Sequence, residues 1–281
     1  MTYKIVCDSS CDLKTAVLQP DRLYLDVIPL RLSVGSREWL DDEALRVPDL
    51  MEAIREEKSA SSTACPSPAA FAHAFEAVDC SVCFTISGSL SGTYNAAVLA
   101  RDLVLEEHPQ KKICVIDSKS TAGAMMLLTR RAQELLEAED EPDFEAVCSK
   151  LRLYQASLRT VFTLECYDNL IKNGRMRPLV GTLLRSLGIH IIADGTPQGT
   201  IHVAGKAKGE TKTFQGIIQL MRQSKDCTDA DVIVTHCENL PGALRLKQMI
   251  LSELPVKDVA IVAGRGLNSF YAMQNGLIVG F

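Results

Sequence analysis

The chain has 281 residues, 47% hydrophobic and 23% charged, and 30 basic against 35 acidic side chains leave a net charge of −5. That mixture excludes an extended disordered chain, and a length equivalent to about two domains of roughly 150 residues buries about three quarters of the unfolded surface without staples. The acidic balance, with no basic stripe, argues against nucleic acid as a partner, and no apolar run approaches the roughly 20 residues that span a bilayer.

Lys4-Ile5-Val6-Cys7 reads as a strand that ends at the polar Asp8-Ser9-Ser10. Pro29 splits the apolar stretch from Leu23 to Val34 into two short strands, Tyr24 to Ile28 and Leu30 to Val34, and Gly35-Ser36 turns the chain back toward Trp39. Leu50, Met51 and Ile54 fall at helical spacing within Pro48 to Lys58, with Pro48 in the first turn. Pro68 to Ala77 is a second short helix. Two strand–helix pairs follow, Val82 to Ile86 with Thr93 to Glu106, and Lys112 to Ile116 with Thr121 to Glu137. A helix from Phe144 to Leu158 leads to the strand Thr160 to Leu164. This alternation predicts an α/β fold whose mainly parallel sheet carries helices on both faces.

The pattern changes near residue 163, which predicts two closely packed α/β domains, 1–163 and 164–281. Asn169 to Leu187 reads as helical on either side of Gly174. Ile189 to Ala193 and Thr200 to Lys206 bracket the turn Asp194-Gly195-Thr196-Pro197 as an antiparallel pair. Thr211 to Arg222 and Pro241 to Glu253 are helices around the strand Asp231 to His236, and Val256 to Val262 with Leu277 to Phe281 close a mixed sheet.

Ten cysteines are scattered along the chain, and the start Met1-Thr2-Tyr3-Lys4-Ile5 lacks the charged and long apolar regions of a signal peptide, so a cytoplasmic location with reduced thiols is expected. Cys80 and Cys83 have zinc-like spacing, but no second pair or nearby His completes four ligands, and they sit at an apolar run. The five histidines show no metal-ligand spacing. Gly199 to Lys206 misses the phosphate-loop spacing, and Gly88-Ser89-Leu90-Ser91-Gly92 puts Leu where a nucleophile elbow needs its Ser. Neither a metal nor a cofactor is expected.

The chemistry concentrates in polar turns. Ile86-Ser87-Gly88-Ser89-Leu90-Ser91-Gly92-Thr93 follows a buried strand and opens a helix, where free N–H groups, hydroxyls and the helix dipole favour an anion. Ser59-Ala60-Ser61-Ser62-Thr63-Ala64-Cys65-Pro66 precedes another helix, and Ile116-Asp117-Ser118-Lys119-Ser120-Thr121 is again strand, polar turn, helix. With Asp8-Ser9-Ser10, four hydroxyl-rich turns are expected on one edge of one sheet, as the polar rim of a cleft. Arg175, in Asn173-Gly174-Arg175, falls at the domain junction.

Six segments in order resemble the DegV family of bacterial fatty-acid-binding proteins. They are D-S-x-x-D-L at Asp8 to Leu13, V-x-P-L at Val27 to Leu30, T-S-x-P-S at Thr63 to Ser67, S-S-x-L-S-G-T-Y at Ser87 to Tyr94, I-D-S at Ile116 to Ser118 and N-G-R at Asn173 to Arg175. The resemblance implies a fatty acid held in an apolar tunnel between the two domains, with no chemistry of the chain's own. It implies carboxylate binding by Thr63 and Ser91, with Ser87, Gly92 and Thr93 in support. It also implies a separate fatty-acid kinase as partner, faced by Arg175 and Lys206, and peripheral membrane contact during lipid exchange. Burying a C16 tail at about 0.8 kcal/mol per CH₂ supplies roughly 11 kcal/mol before the cost of immobilisation.

The sequence departs from the family pattern at Ala64 and Gly88, which replace Ser, and at Val262, which replaces the carboxylate-contacting His of a C-terminal H-x-G-P-G loop. Arg265, Asn268, Ser269 and Tyr271 are the candidates to reach the head group in its place. The alternative is an enzyme of the same architecture acting on a small phosphorylated or carboxylated metabolite in a polar cleft.

Overall fold

The computed structural model describes residues 1–57, 61–177 and 188–281. In chain order the first part comprises β1 (Tyr3–Asp8), a 3-10 turn (Ser9–Cys11), β2 (Ala16–Gln19), β3 (Leu23–Ile28), β4 (Arg31–Val34), β5 (Arg37–Leu40) and α1 (Val47–Glu56). It continues through β6 (Ser61–Ala64), α2 (Pro68–Glu76), β7 (Cys80–Thr85), α3 (Thr93–Glu107), β8 (Lys112–Asp117), α4 (Ala122–Glu137) and α5 (Phe144–Ser157). β3, β1, β7 and β8 lie side by side and parallel, with β2 antiparallel on the outer edge.

Every residue of β7 is buried, because side chains alternate across a sheet that is covered on both faces. Ile5, Val82, Phe84 and Cys114 point into a core with Met125 and Leu128 of α4 and Leu151 of α5. Val6, Cys83 and Val115, one position out of step, meet Phe71 and Phe75 of α2 and Ala97 and Ala100 of α3. Each fully buried Phe or Leu contributes about 1.5–3 kcal/mol. Cys80 and Cys83 are thus small apolar residues of a strand, and among the described residues no group of His, Cys, Asp or Glu is placed to hold a metal.

β5, β4 and β6 form a separate antiparallel sheet in which Thr63 pairs with Leu32. The sequence Ser61-Ser62-Thr63-Ala64 reads as a loop because it has no apolar alternation, yet the free edge of β4 satisfies its backbone and makes it a strand. The expected rim is therefore corrected. Three polar turns follow β1, β7 and β8 at the carboxyl edge of the parallel sheet, whereas Thr63 arrives from a different sheet.

The rest of the chain comprises β9 (Thr160–Leu164), α6 (Asp168–Lys172), β10 (Ile189–Gly195), β11 (Ile201–Lys208), α7 (Glu210–Ser224), β12 (Asp231–His236), α8 (Leu240–Glu253), β13 (Asp258–Ala263), α9 (Gly266–Ala272) and β14 (Leu277–Gly280). Its six strands form one mixed sheet in the order β11-β10-β9-β14-β12-β13, parallel only between β12 and β13. β9, the strand that spans residue 163, lies inside this sheet. The expected helix from Asn169 to Leu187 is observed only as α6, after which the chain turns at Gly174. Residues 178–187 of that expectation, and Lys58 at the end of the first expected helix, lie outside the described residues. α9 spans seven residues and begins at Gly266, too short and too glycine-marked to show a helical period in the sequence.

α4 belongs to both cores. A Cβ on Gly280 of β14 would lie 2.1 Å from the Ala124 backbone nitrogen, and one on Gly123 would lie 2.7 Å from the Ile233 carbonyl oxygen. Glycine at these two positions lets the start of α4 press directly on β12 and β14, so the two large sheets share one helix. Among the described residues no helix is long and apolar enough to cross a membrane.

Candidate functional site

Between the carboxyl edge of the parallel sheet and the face of β9 and β14 lies a cavity of about 830 Å³, counting the open space at its mouth. Ile86 and Leu90 line it from the loop after β7, Phe162 and Leu164 from β9, Ile201 from β11 and Ile278 from β14. Leu30, Leu170, Leu267 and Ala272 complete the apolar wall. Its described lining contains no carboxylate, histidine or cysteine. Phe71, Phe75 and the Met125-Met126-Leu127-Leu128 run lie outside this lining, and Phe71, Phe75, Met125, Leu127 and Leu128 are fully buried elsewhere.

Thr63, Ser91, Arg175 and Tyr271 make one end of this apolar space polar. The Thr63 hydroxyl and the Tyr271 phenol share a hydrogen bond of 2.7 Å. Arg175 stacks near the Tyr271 ring, 6.0 Å from its centroid, and donates from Nε to the Leu90 carbonyl at 3.1 Å and from Nη1 to the Asn173 carbonyl. No described carboxylate pairs with this guanidinium. Burial pushes the Tyr271 phenol above its ordinary pKa, against the pull of Thr63 and Arg175, which keeps it a neutral donor at physiological pH. Ser91 Oγ lies 2.8 Å from Thr93 Oγ1 and caps the Thr93 N–H at 3.4 Å, at the N-terminus of the 15-residue α3.

The strand β6 and the helices α6 and α9 are tied together so that this cluster holds its shape. Ser61 donates to Asn169 Oδ1 at 3.0 Å, Asn173 Nδ2 donates to the Ser61 carbonyl at 3.2 Å, and buried Asn169 donates to the Phe270 carbonyl at 2.7 Å. Asn173 and Arg175, two members of the N-G-R segment, thus lock β6 and approach the loop after β7 respectively.

The structure brings Thr63, Ser91 and Arg175 together in the lining and leaves Ser87, Gly92, Thr93 and Lys206 outside it. Ser87 is fully buried and donates its hydroxyl to the Gly199 carbonyl at 2.7 Å, while Ser89 donates to the Gln198 carbonyl at 2.6 Å. These bonds strap the β10–β11 turn onto the loop after β7. Gly199, at φ +81°, is required there, since a Cβ would lie 2.2 Å from Ser87 Oγ. Gly92 and Thr93 form the start of α3 behind Ser91. Lys206 is exposed on the sheet-edge strand β11.

Of the four candidates to replace the missing His, only Tyr271 reaches the polar end. Asn268 lines the cavity, but its side chain is occupied by the Ser10 carbonyl, Asp12 and Thr121. Ser269 donates to the Gly264 carbonyl at 3.0 Å. Arg265 lies outside the lining, its N–H on Asp12 and its guanidinium on the Asp42 carbonyl. The cation beside the polar end is Arg175 instead. Position 271 carried no sequence signal of its own beyond being an aromatic hydroxyl close after the departed His position.

The D-S-x-x-D-L segment proves architectural. Asp8 accepts from the N–H of Ser10 at 2.9 Å and of Ile86 at 2.6 Å. Asp12 accepts from the Arg265 N–H at 2.7 Å and from Asn268 at 2.9 Å. Asp41 accepts from the first two N–H groups of α9, Gly266 at 2.9 Å and Leu267 at 2.8 Å. Burial pushes Asp8 up to about 6 and Asp12 up to about 7, and raises Asp41, despite these donors. Asp8 ties the turn after β1 to the loop after β7, while Asp12 and Asp41 fix α9, which carries Leu267, Asn268, Tyr271 and Ala272 into the cavity wall.

The arrangement offers hydrogen bonds and positive charge to an anionic group and apolar surface to whatever is attached to it. A model of the DegV family, described as uncharacterised, matches residues 2–271. A DegV domain-containing protein of Streptococcus pyogenes serotype M1 is 35% identical over 283 residues, covering 100% of this chain and 99% of that relative. Among solved structures, the Streptococcus pneumoniae Fatty Acid Kinase (Fak) B3 protein loaded with linoleic acid superposes with a TM-score of 0.94 at 33% identity, over 100% of this chain and 99% of that one. A DegV family protein of Eubacterium eligens loaded with heptadecanoic acid gives a TM-score of 0.91 at 31% identity, over 99% of both chains.

Proposed function

This chain belongs to the DegV family, and on that premise we propose that it binds one long-chain fatty acid and presents its carboxylate to a separate fatty-acid kinase. The acyl tail occupies the apolar cavity between two α/β domains, 1–163 and 164–281. Thr63, Ser91 and Tyr271 donate hydrogen bonds to the carboxylate, and Arg175 supplies the neighbouring positive charge. Gly92 and Thr93 hold Ser91 in place, and Ser87 holds the loop. Arg175 and exposed Lys206 face the kinase or the phosphate it delivers.

The observation that carries this reading is the convergence of Thr63, Ser91, Tyr271 and Arg175, an arginine with no described carboxylate partner, on a cavity walled largely by apolar side chains. A buried carboxylate needs donors to offset lost hydration, and charge-assisted bonds are about twice as strong as neutral ones. The related S. pneumoniae and E. eligens structures are loaded with fatty acids, ligands that join one carboxylate to a long apolar chain.

Presentation is tested with the delipidated protein, oleate, ATP and a bacterial fatty-acid kinase, trapping acyl phosphate as the hydroxamate. The expected result is acyl phosphate that forms only when this protein is present. Bound oleate that stays unphosphorylated, or equal product without the protein, contradicts the presenting role.

A further inference from the structure

Opposite the polar end, the cavity abuts a second one of about 690 Å³, counting open space, and the two share Lys119, Ser120, Thr160 and Gly195 as a common wall. Ser120 Oγ and Thr160 Oγ1 meet across that wall at 2.5 Å. Both partners are held: the Ser120 N–H donates to Ser118 Oγ at 3.1 Å, the Ser120 carbonyl accepts from the Ser87 N–H at 3.0 Å, and Thr160 begins β9. Beyond the wall the lining turns polar and cationic, with Gln155 and Arg159.

β9 sets the direction. Thr160, Phe162 and Leu164 share the cavity face of this strand, a span of about 13 Å at 3.3 Å per residue. Leu164 packs with Leu170 and Tyr271 at the polar end, so Thr160 marks the far end. Resting on the fatty-acid reading above, we propose that the Ser120–Thr160 pair is the stop for the methyl end of the acyl chain and sets the longest chain accepted. A chain one or two carbons too long must push this fixed pair apart or lift its carboxylate from Thr63 and Ser91. A tight apolar pocket discriminates by about 10- to 200-fold per methylene.

The test gives delipidated protein an equimolar mixture of even saturated acids from C14 to C22 and measures bound acids by mass spectrometry after extraction. Wild-type protein is expected to show a sharp upper cutoff. Ser120→Gly with Thr160→Ala joins the two cavities and moves the cutoff up by at least two carbons, raising the first excluded acid about tenfold, while C14 uptake stays within about twofold. Thr160→Ile keeps the β-branch a strand favours, extends the stop into the cavity and moves the cutoff down. An unchanged cutoff in either variant, with normal total uptake, overturns the assignment. Wild-type protein that takes up none of these acids overturns the binding reading and the stop with it.

Discussion

Replacing Thr63 by Val and Ser91 by Ala lowers the affinity for a long-chain fatty acid by about 100-fold or more at neutral pH. Each hydroxyl bond to a charged partner contributes about 1.5–3 kcal/mol, and every 1.4 kcal/mol is tenfold in affinity. Removing two such donors leaves the carboxylate partly unsatisfied while the apolar wall stays intact. The effect is specific to the charge: the methyl ester of the same acid binds wild type and variant within about threefold. Tyr271→Phe also weakens the acid, since its phenol sits 2.7 Å from Thr63 Oγ1 and is held neutral by burial. Ser87→Ala leaves equilibrium affinity within about threefold, because its hydroxyl is engaged with the Gly199 carbonyl. Displacement of a fluorescent fatty acid measures the three variants against wild type. Equal loss at Ser87 and at Thr63 contradicts this division of roles between the two hydroxyls.

Asp41→Ala destabilises the protein by about 3 kcal/mol, with a fall in melting temperature of about 10 °C. Asp41 is 1% exposed and is the shared acceptor of the Gly266 and Leu267 N–H groups. Its removal leaves two buried donors unpaired at the start of α9, the helix that carries Tyr271. The raised pKa of Asp41 reflects its burial, so part of the loss is offset by no longer burying a charge. Asp41→Asn keeps one acceptor oxygen and loses about half as much. Asp49→Ala on α1, where the aspartate is 51% exposed and paired with Arg46, shifts stability by less than about 0.5 kcal/mol. Urea unfolding compares the three. A fall no larger for Asp41→Ala than for Asp49→Ala contradicts the role of Asp41 as a clamp on α9.

Much of the fold is legible in the sequence where burial is two-sided. β7 shows as a largely apolar run, with Ser81 and Thr85 as its polar members, because α2 and α3 cover one face and α4 and α5 the other. Ser67-Pro68 marks the start of α2 through a hydroxyl cap and a fixed φ. β6 and α9 are illegible for opposite reasons. β6 is polar and half-exposed and becomes a strand only because β4 offers an edge, while α9 is held by Asp12 and Asp41 from 225 to 253 residues away in the chain. The cavity shows the same division. Thr63 and Ser91 stand out as hydroxyls beside helix starts, and the structure places both in the lining. Ser87 carries the same local signal, yet the turn at Gly199 claims its hydroxyl. Which of two identical serines faces a cavity is decided by a contact 112 residues distant. The Ser120–Thr160 wall likewise arises from tertiary pairing alone, and tertiary pairing decides that Tyr271, of the four candidates near the missing His, reaches Thr63.

Whether this cavity carries a fatty acid is tested most directly by mass spectrometry of the protein purified gently from a bacterial host. Under native conditions the expected mass exceeds that of the chain by one long-chain fatty acid, and the excess disappears on denaturation, with the free acid recovered in the organic extract. A bare chain mass under native conditions, with no fatty acid in the extract and none taken up when oleate is added, contradicts the binding role.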